Sequence, residues 1–197
     1  FPLASKSGKL NSEHFKTWLK DVLYPNIGQQ SVLLLDSWSG HCSDTIEKTK
    51  PADKNIVAIM IPKGTTGRIQ PLDVYGFRVW KNFVRRFSDI VLLHNHDVNL
   101  HSRNYIIKLQ SLVHNQLSSP RYKSLFQYAW YKSGYIDERL ENFPNLVNFA
   151  FESCSVMKCN VCGAAAIIRC SWCKKAFCIK HFFTNTTTVI NMISNIK

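Results

Sequence analysis

The stretch Ser31-Val32-Leu33-Leu34-Leu35-Asp36 decides how the first part of the chain folds. Its apolar run is too short for a helix and is apolar on both faces, which is typical of a strand inside a parallel sheet. A second run, Ile56-Val57-Ala58-Ile59-Met60-Ile61, ends at Pro62 and follows a polar segment, residues 37–55, with room for a crossover helix. The two runs therefore predict adjacent parallel strands and an α/β fold class.

Helical periodicity flanks the two predicted strands. Asn11 or Ser12 is the expected N-cap of an amphipathic helix that should stop before Pro25. A short helix is expected around Ser43–Lys48, and Pro71 is expected to open a longer helix after a loop over residues 64–67. That longer helix has a core side and a basic side, and its apolar stripe is predicted to contain Phe77, Trp80, Val84 and Phe87.

The middle of the chain predicts a helical annex over residues 96–135. One helix spans Arg103–Leu117, with Ile106, Leu109 and Val113 at helical spacing. A second helix opens at Ser119-Pro120 and closes at Gly134. Residues 136–153 are predicted to be a connector with short extended pieces, and residues 184–197 a disordered tail.

Composition favours an intracellular protein with a polyanionic partner. Lys and Arg number 25 against 13 Asp and Glu, which gives a net charge of +12. This favours nucleic acid, although a basic surface that only confers solubility has the same composition. No apolar run is long enough for a membrane span, and no leader resembles a signal peptide. The chain begins with Phe1 rather than Met, so we expect a fragment.

Two aspartates occupy the ends of predicted elements. Asp36 follows the first strand, and Asp73 lies where the helix after Pro71 begins. Carboxylates at the carboxyl edge of a sheet can hold the Mg²⁺ or Mn²⁺ ions that cleave phosphodiesters. The spacing alone favours the commoner roles of a turn aspartate and a helix-capping aspartate over a metal site.

The sequences that flank these two aspartates resemble those of a known family. Leu33-Leu34-Leu35-Asp36-Ser37-Trp38-Ser39-Gly40-His41 and Ile61-Pro62-Lys63-Gly64-Thr65-Thr66-Gly67-Arg68-Ile69-Gln70-Pro71-Leu72-Asp73 resemble the DDE superfamily endonuclease domain of pogo- and Tigger-like transposases, in the Tc1/mariner group. The resemblance implies an RNase H-like fold, nuclear localisation, and DNA cleavage and strand transfer with Mg²⁺ or Mn²⁺.

The same resemblance implies roles for individual residues. Asp36 and Asp73 would be the second and third metal ligands. His41 matches an accessory histidine of the family, although a surface or capping histidine is the plainer interpretation. The loop that presents the third acid would be shaped by Thr65, Thr66 and Gln70.

The sequence departs from the family in two ways. Ser37-Trp38 stands where Asn and a small residue are usual. The family's first catalytic aspartate lies on an upstream strand, and no Asp precedes Asp21, so we expect a partial RNase H-like domain over residues 8–95 that lacks its first three strands. Two of three carboxylates make an incomplete site, and the fragment is predicted not to cut DNA. The strand over Val32–Leu35 would have an open edge able to pair with itself or another protein.

Six metal donors cluster near the end of the chain and predict a zinc-binding module over residues 154–183. Two Cys-x2-Cys pairs turn both thiolates of each pair toward one ion, and a Cys and a His follow them. Which four donors share a Zn²⁺ stays open at this point. The pattern resembles the cysteine-rich fingers of several transposase families, and its donors are Cys159, Cys162, Cys170, Cys173, Cys178 and His181.

Basic side chains in two places are candidates for DNA contact. One set lies on the helix after Asp73 and consists of Arg78, Lys81, Arg85 and Arg86. The other lies in the zinc module, where Trp172 and Phe177 are interleaved with Lys158, Arg169, Lys174, Lys175 and Lys180. The alternatives are a solvated helix face, a zinc module that only staples the fold, and a non-catalytic module that binds other proteins.

Overall fold

The chain folds into two compact units that meet in sequence between Gln70 and Pro71. The structure is a computed structural model, and it describes residues 5–139, 142–152 and 156–184. The predicted boundaries at residues 95, 135 and 153 do not coincide with this division. The basic helix, the helical annex and the zinc module all belong to the second unit because their apolar side chains share one core.

The first unit contains a parallel pair of strands with helices packed on one face. Its core is formed by Phe15, Leu19, Tyr24, Leu35, Ile46 and Ile56. The crossover between the strands contains a helix, as predicted. In chain order, the first unit contains α1 Ser12–Trp18, α2 Tyr24–Asn26, β1 Gln30–Leu35, α3 Ser43–Thr49, β2 Asn55–Met60 and α4 Thr66–Ile69.

The first helical run passes through Pro25 rather than stopping before it. Asn11 is the N-cap, and its side chain accepts a hydrogen bond from the backbone N–H of His14. A wider π-helical turn over Leu19–Leu23 joins α1 to α2. Pro25 is the second residue of α2, which directly follows this turn, so its missing N–H interrupts the intrahelical hydrogen bonds at one position without ending the helical run. The predicted end was therefore wrong.

The sheet of the first unit buries only one of its faces. Strands β1 and β2 run parallel, with Val32 opposite Val57 and Leu34 opposite Ile59. On this face Val32, Val57 and Ile59 are 60%, 52% and 47% exposed. The described residues contribute two strands to this sheet. Both faces of β1 are apolar, as predicted, but one of them is exposed to solvent.

The second unit is mainly helical. Its first helical turn, Leu72–Gly76, is π-helical and continues directly into α5. A single turn of 3-10 helix, Pro120–Tyr122, leads into α7, and Gly134 closes α7 with a left-handed φ of +79°. The remaining elements are α5 Phe77–Leu93, α6 Arg103–Leu117, α7 Lys123–Lys132, α8 Leu146–Phe151, β3 Ile168–Arg169, β4 Ala176–Phe177 and a π-helical turn, Lys180–Thr184.

Helix α5 buries a stripe that only partly overlaps the predicted one, with Phe87 common to both. Phe77 is 41% exposed, and Trp80 and Val84 are only partly buried. The core that this stripe joins also contains buried side chains of α6, α8 and the zinc module. The side chains that α5 buries are Val79, Phe83, Phe87, Ile90 and Val91.

The segment predicted as an extended connector contains helix α8 instead. The Asn145 side chain caps it by accepting hydrogen bonds from the backbone N–H groups of Val147 and Asn148. Leu146, Ala150 and Phe151 are buried in the core of the second unit. Cys154 and residues 185–197 of the predicted tail lie outside the described residues. None of the helices in the described part of the chain has the length and apolar character needed to cross a membrane.

Candidate functional site

Asp36 lies at the end of β1 in the first unit, held by its own loop. Its Oδ1 lies 2.7 Å from Nδ1 of His41 and accepts a hydrogen bond of 3.2 Å from the backbone N–H of Trp38. The His41 ring contacts those of Phe15 and Trp38, with centroids 4.8 and 4.9 Å apart. The Asp36 side chain is 39% exposed, so its carboxylate is oriented and yet accessible to a cation.

Asp73 lies in the other unit, on the π-helical turn Leu72–Gly76. Its side chain is exposed and forms no ion pair with a described residue. Each acid therefore occupies the end of an element, as the sequence predicts. The convergence of the two carboxylates on metal ions stays a prediction.

Four of the six predicted zinc donors come together in the second unit. The ligand atoms of Cys159, Cys162, Cys178 and His181 all lie within 4.8 Å of one another. Cys162 Sγ is 3.8 Å from Cys178 Sγ, and His181 Nδ1 is 3.5 Å from Cys159 Sγ and 3.3 Å from Cys178 Sγ. Tetrahedral zinc with bonds of about 2.3 Å to sulfur requires sulfur atoms about 3.8 Å apart. The donor set and its spacing fit Zn²⁺.

The fold near Cys159 favours a thiolate, the form that binds metal. Burial alone would raise the pKa of the Cys159 thiol. Hydrogen bonds from the backbone N–H groups of Cys178, Val161 and Cys162 outweigh burial and lower this pKa to about 6. Three cysteines and one histidine therefore form a preorganised site that could hold a metal such as zinc.

Cys170 and Cys173 lie outside this cluster, although their loop has the same backbone geometry. In the first pair, Gly163 N–H donates to Cys159 O at 2.9 Å; in the second, Lys174 N–H donates to Cys170 O at 2.9 Å. Gly163 and Lys174 both have left-handed φ angles, +72° and +61°. The sequence spacing correctly predicts two Cys-x2-Cys turns, which we call knuckles. Among the described residues, only the first knuckle, Cys159–Cys162, belongs to a cluster of four metal donors.

Helix α6 supplies the partners of the second knuckle. Gln116 is fully buried, and its Nε2 donates to Cys170 Sγ at 3.8 Å while its Oε1 accepts from the Ser171 N–H at 2.7 Å. Trp172 Nε1 donates to the Asn115 carbonyl at 2.7 Å. A hydrogen bond from the Cys173 thiol is the largest contribution that lowers the pKa of Cys170 to about 6.

The predicted basic face of α5 is exposed to solvent. Arg78, Lys81, Arg85 and Arg86 all project outward, as the helical periodicity predicts. Arg85 and Arg86 border a shallow cavity of about 280 Å³, whose other walls are Asn82, Asp89, Asn145, Val147 and Asn148. Their role in DNA contact stays a prediction.

A second cationic group was not predicted as a unit. The guanidinium carbon of Arg121 lies 4.0 Å from the centroid of the Phe149 ring, and that of Arg169 lies 4.4 Å from it. Arg169 Nε also donates to the Phe149 carbonyl at 3.1 Å. Neither arginine forms an ion pair with a described carboxylate, and Arg121 Nε is buried with no described hydrogen-bond partner. Arg169 is one of the basic residues predicted to contact DNA, but three segments that are distant in sequence must meet to form this group.

Part of the second unit matches a known protein family. The family model of the Tc5 transposase C-terminal domain matches residues 130–189, a range that includes α8 and all four clustered metal donors. Neither the curated proteins nor the solved structures yielded a match. The finding supports a transposase-derived domain at residues 130–189.

Proposed function

We propose that the second unit binds DNA, and that the whole chain derives from a DDE-type transposase similar to the pogo- and Tigger-like group. The observation that carries the proposal is the match to the Tc5 transposase C-terminal domain across the metal cluster. An RNase H-like origin for the first unit is supported by the parallel β1–β2 pair with a helix between the strands. The nucleus is the compartment that such a function requires.

Unneutralised positive charge on the second unit supports DNA as the ligand. From Lys158 to Lys180 the module carries five basic residues and no acidic one. Of these, Lys158, Lys174, Lys175 and Lys180 are exposed. Arg121 and Arg169 share the Phe149 ring without a carboxylate partner among the described residues. Guanidinium groups without a carboxylate partner can bind a phosphate favourably, because they form paired charge-assisted hydrogen bonds with it.

The metal would have a structural role in this proposal. When bound, Zn²⁺ would cross-link the Cys159–Cys162 knuckle to Cys178 and His181 at the end of the chain's described part. Four protein ligands leave no open position for a reacting water, which distinguishes structural from catalytic zinc sites. Cys159 and Cys178 are buried in the same core as α5 and α6, so the bound ion would hold the basic side chains in place.

In this proposal, Asp36 and Asp73 derive from the catalytic site of the ancestral transposase. In the family they resemble, such carboxylates hold Mg²⁺ or Mn²⁺ for phosphodiester cleavage. Two carboxylates do not complete a three-acid centre, so we propose DNA binding rather than cleavage for residues 1–197. A Mg²⁺-dependent nicking assay comparing wild type with Asp36→Ala and Asp73→Ala tests this: nicking that depends on either acid would restore the enzymatic function.

Salt-titrated binding to duplex DNA tests the main proposal. The logarithm of the association constant should fall linearly with the logarithm of salt concentration, because bound phosphates release counterions. Replacing Arg121 and Arg169 with Gln should reduce the slope by about 0.9 for each phosphate that the variant no longer neutralises. Lys16→Gln, in the first unit, is the matched control. Absence of any affinity at low salt would overturn the proposal.

A protein-binding module is the second candidate. Val156 and Val161 of the zinc module are 84% and 43% exposed, and exposed apolar side chains favour a protein partner. This candidate predicts that the second unit has no salt-dependent affinity for DNA. The same titration therefore distinguishes the two functions.

A further inference from the structure

An open cavity of about 530 Å³ lies beside the C-terminal end of α7. Its volume falls within the range of about 300–1,000 Å³ that is typical of small-molecule sites. We call it the tyrosine cavity, and its walls include Tyr128, Tyr131, Lys132, Ile136, Asp137 and Arg139.

The aromatic wall of the tyrosine cavity is not part of the hydrophobic core. Tyr128 and Tyr131 are half-buried and lie outside the core cluster, whereas Tyr75 and Phe143 pack on its edge. The Tyr128 ring contacts Tyr75 and Phe143, with centroids 4.9 and 4.6 Å apart, and Tyr131 lies 6.0 Å from Tyr128. The Tyr128 ring is thus supported by two aromatic neighbours on the edge of the core, and it is in turn the aromatic neighbour of Tyr131.

The polar groups around the cavity select the kind of ligand. Lys132 and Arg139 bring positive charge, and neither forms an ion pair with a described carboxylate; the Lys132 ammonium lies 5.7 Å from the centroid of the Tyr75 ring. Asp137 offers an acceptor for an exocyclic amine. The hydroxyl groups of Tyr128 and Tyr131 also make no hydrogen bond to another described residue. A planar ring joined to an anion, as in a nucleotide, matches this combination of aromatic and cationic groups.

We propose that the tyrosine cavity binds an unpaired nucleotide of a DNA strand, with its base stacked on Tyr131 and its phosphate neutralised by Lys132 and Arg139. The inference rests on the proposed DNA-binding function. Two facts connect the cavity to it: residues 131–139 lie within the match to the Tc5 transposase C-terminal domain, and Tyr75 shares the turn Leu72–Gly76 with Asp73. Duplex DNA presents no free base face, so only an extrahelical or single-stranded nucleotide can enter.

The test compares a fully paired duplex with the same duplex carrying one extrahelical 2-aminopurine, using the full zinc-loaded chain. Wild type should bind the second DNA more tightly and quench the 2-aminopurine by stacking. Tyr131→Ala should lower the affinity for that DNA by about 5- to 150-fold, the range for losing one base–aromatic stack. Tyr131→Phe retains the ring and should bind nearly as well as wild type.

A matched control is available in the same stretch. Tyr135 is 40% exposed, contacts the Trp130 ring edge-on and does not line the cavity, so Tyr135→Ala should leave both affinities unchanged. Unchanged 2-aminopurine fluorescence at saturating wild-type protein overturns the inference even if every variant fails to fold. Equal affinity for free adenosine monophosphate also overturns it, because the ligand would then be a free nucleotide.

The two proposals fail in different ways. Loss of all DNA affinity, duplex included, would remove the proposed function itself. Normal, salt-dependent binding to the fully paired duplex, with no gain in affinity from the extrahelical base, would contradict only the proposed role of the tyrosine cavity.

Discussion

The buried side chain of Gln116 hydrogen-bonds to Cys170 where a metal ion would otherwise hold the knuckle. Its Nε2 donates to the Cys170 thiol at 3.8 Å, and its Oε1 accepts from the next backbone N–H, that of Ser171, at 2.7 Å. A knuckle with the backbone geometry of a metal site is therefore attached to helix α6 by hydrogen bonds. The described residues complete a four-donor cluster only around the other knuckle.

We expect one Zn²⁺ per chain. Cys178→Ser should abolish zinc binding because it removes one of four clustered donors. The double change Cys170→Ser and Cys173→Ser should leave one ion bound, as should Cys42→Ser in the first unit. Zinc per chain is measured by elemental analysis after desalting. Two ions in wild type, or none in a folded double variant, would contradict the assignment.

Gln116→Leu should destabilise the second unit by about 1–3 kcal/mol. The change leaves the Ser171 N–H buried without its acceptor, and an unsatisfied buried donor costs about this much. Urea unfolding followed by tryptophan fluorescence measures the effect. Gln127→Leu, at an exposed site on α7, should stay within about 0.5 kcal/mol of wild type. Equal stability of the two variants would show that Gln116 does not hold the knuckle.

Chelation of zinc should loosen helix α5 more than strand β1. Cys159, Cys178 and Phe177 belong to the same core as Phe83 and Phe87 of α5. The core around β1 contains none of the four metal donors. Binding of structural zinc contributes directly to folding free energy, so its removal should raise amide hydrogen exchange throughout α5. Exchange in α5 that is insensitive to a chelator would contradict a structural role for the metal.

The exposed sheet face of the first unit should promote self-association. Val32, Val57 and Ile59 present contiguous apolar surface across β1 and β2, and parallel sheets are normally covered on both faces. Val57→Lys should therefore lower the association seen by sedimentation velocity over a range of concentrations. Ile56→Lys, on the buried face at 3% exposure, should instead unfold the unit. A wild-type chain that stays monomeric at all concentrations would contradict this expectation.

Local sequence patterns predicted the elements better than they predicted the packing. Helix α6 spans the predicted Arg103–Leu117, and β1 and β2 pair in parallel with a helix between them. Hydrophobic periodicity and capping act within a few residues, so they can be read from the sequence. The continuation through Pro25 and helix α8 were missed because they depend on a π-helical turn and on core contacts contributed by distant segments.

The sequence by itself determined which residues can bind metal and which can bind phosphate. Spacing within one knuckle is local, so Cys159 and Cys162 had to share a turn, as did Cys170 and Cys173. Only the tertiary structure decided that Cys178 and His181 join the first pair while Gln116 meets the second. It also brought Arg121 and Arg169 to the Phe149 ring. These partners are far apart in sequence, and their meeting depends on the path that the whole chain takes to bury its core.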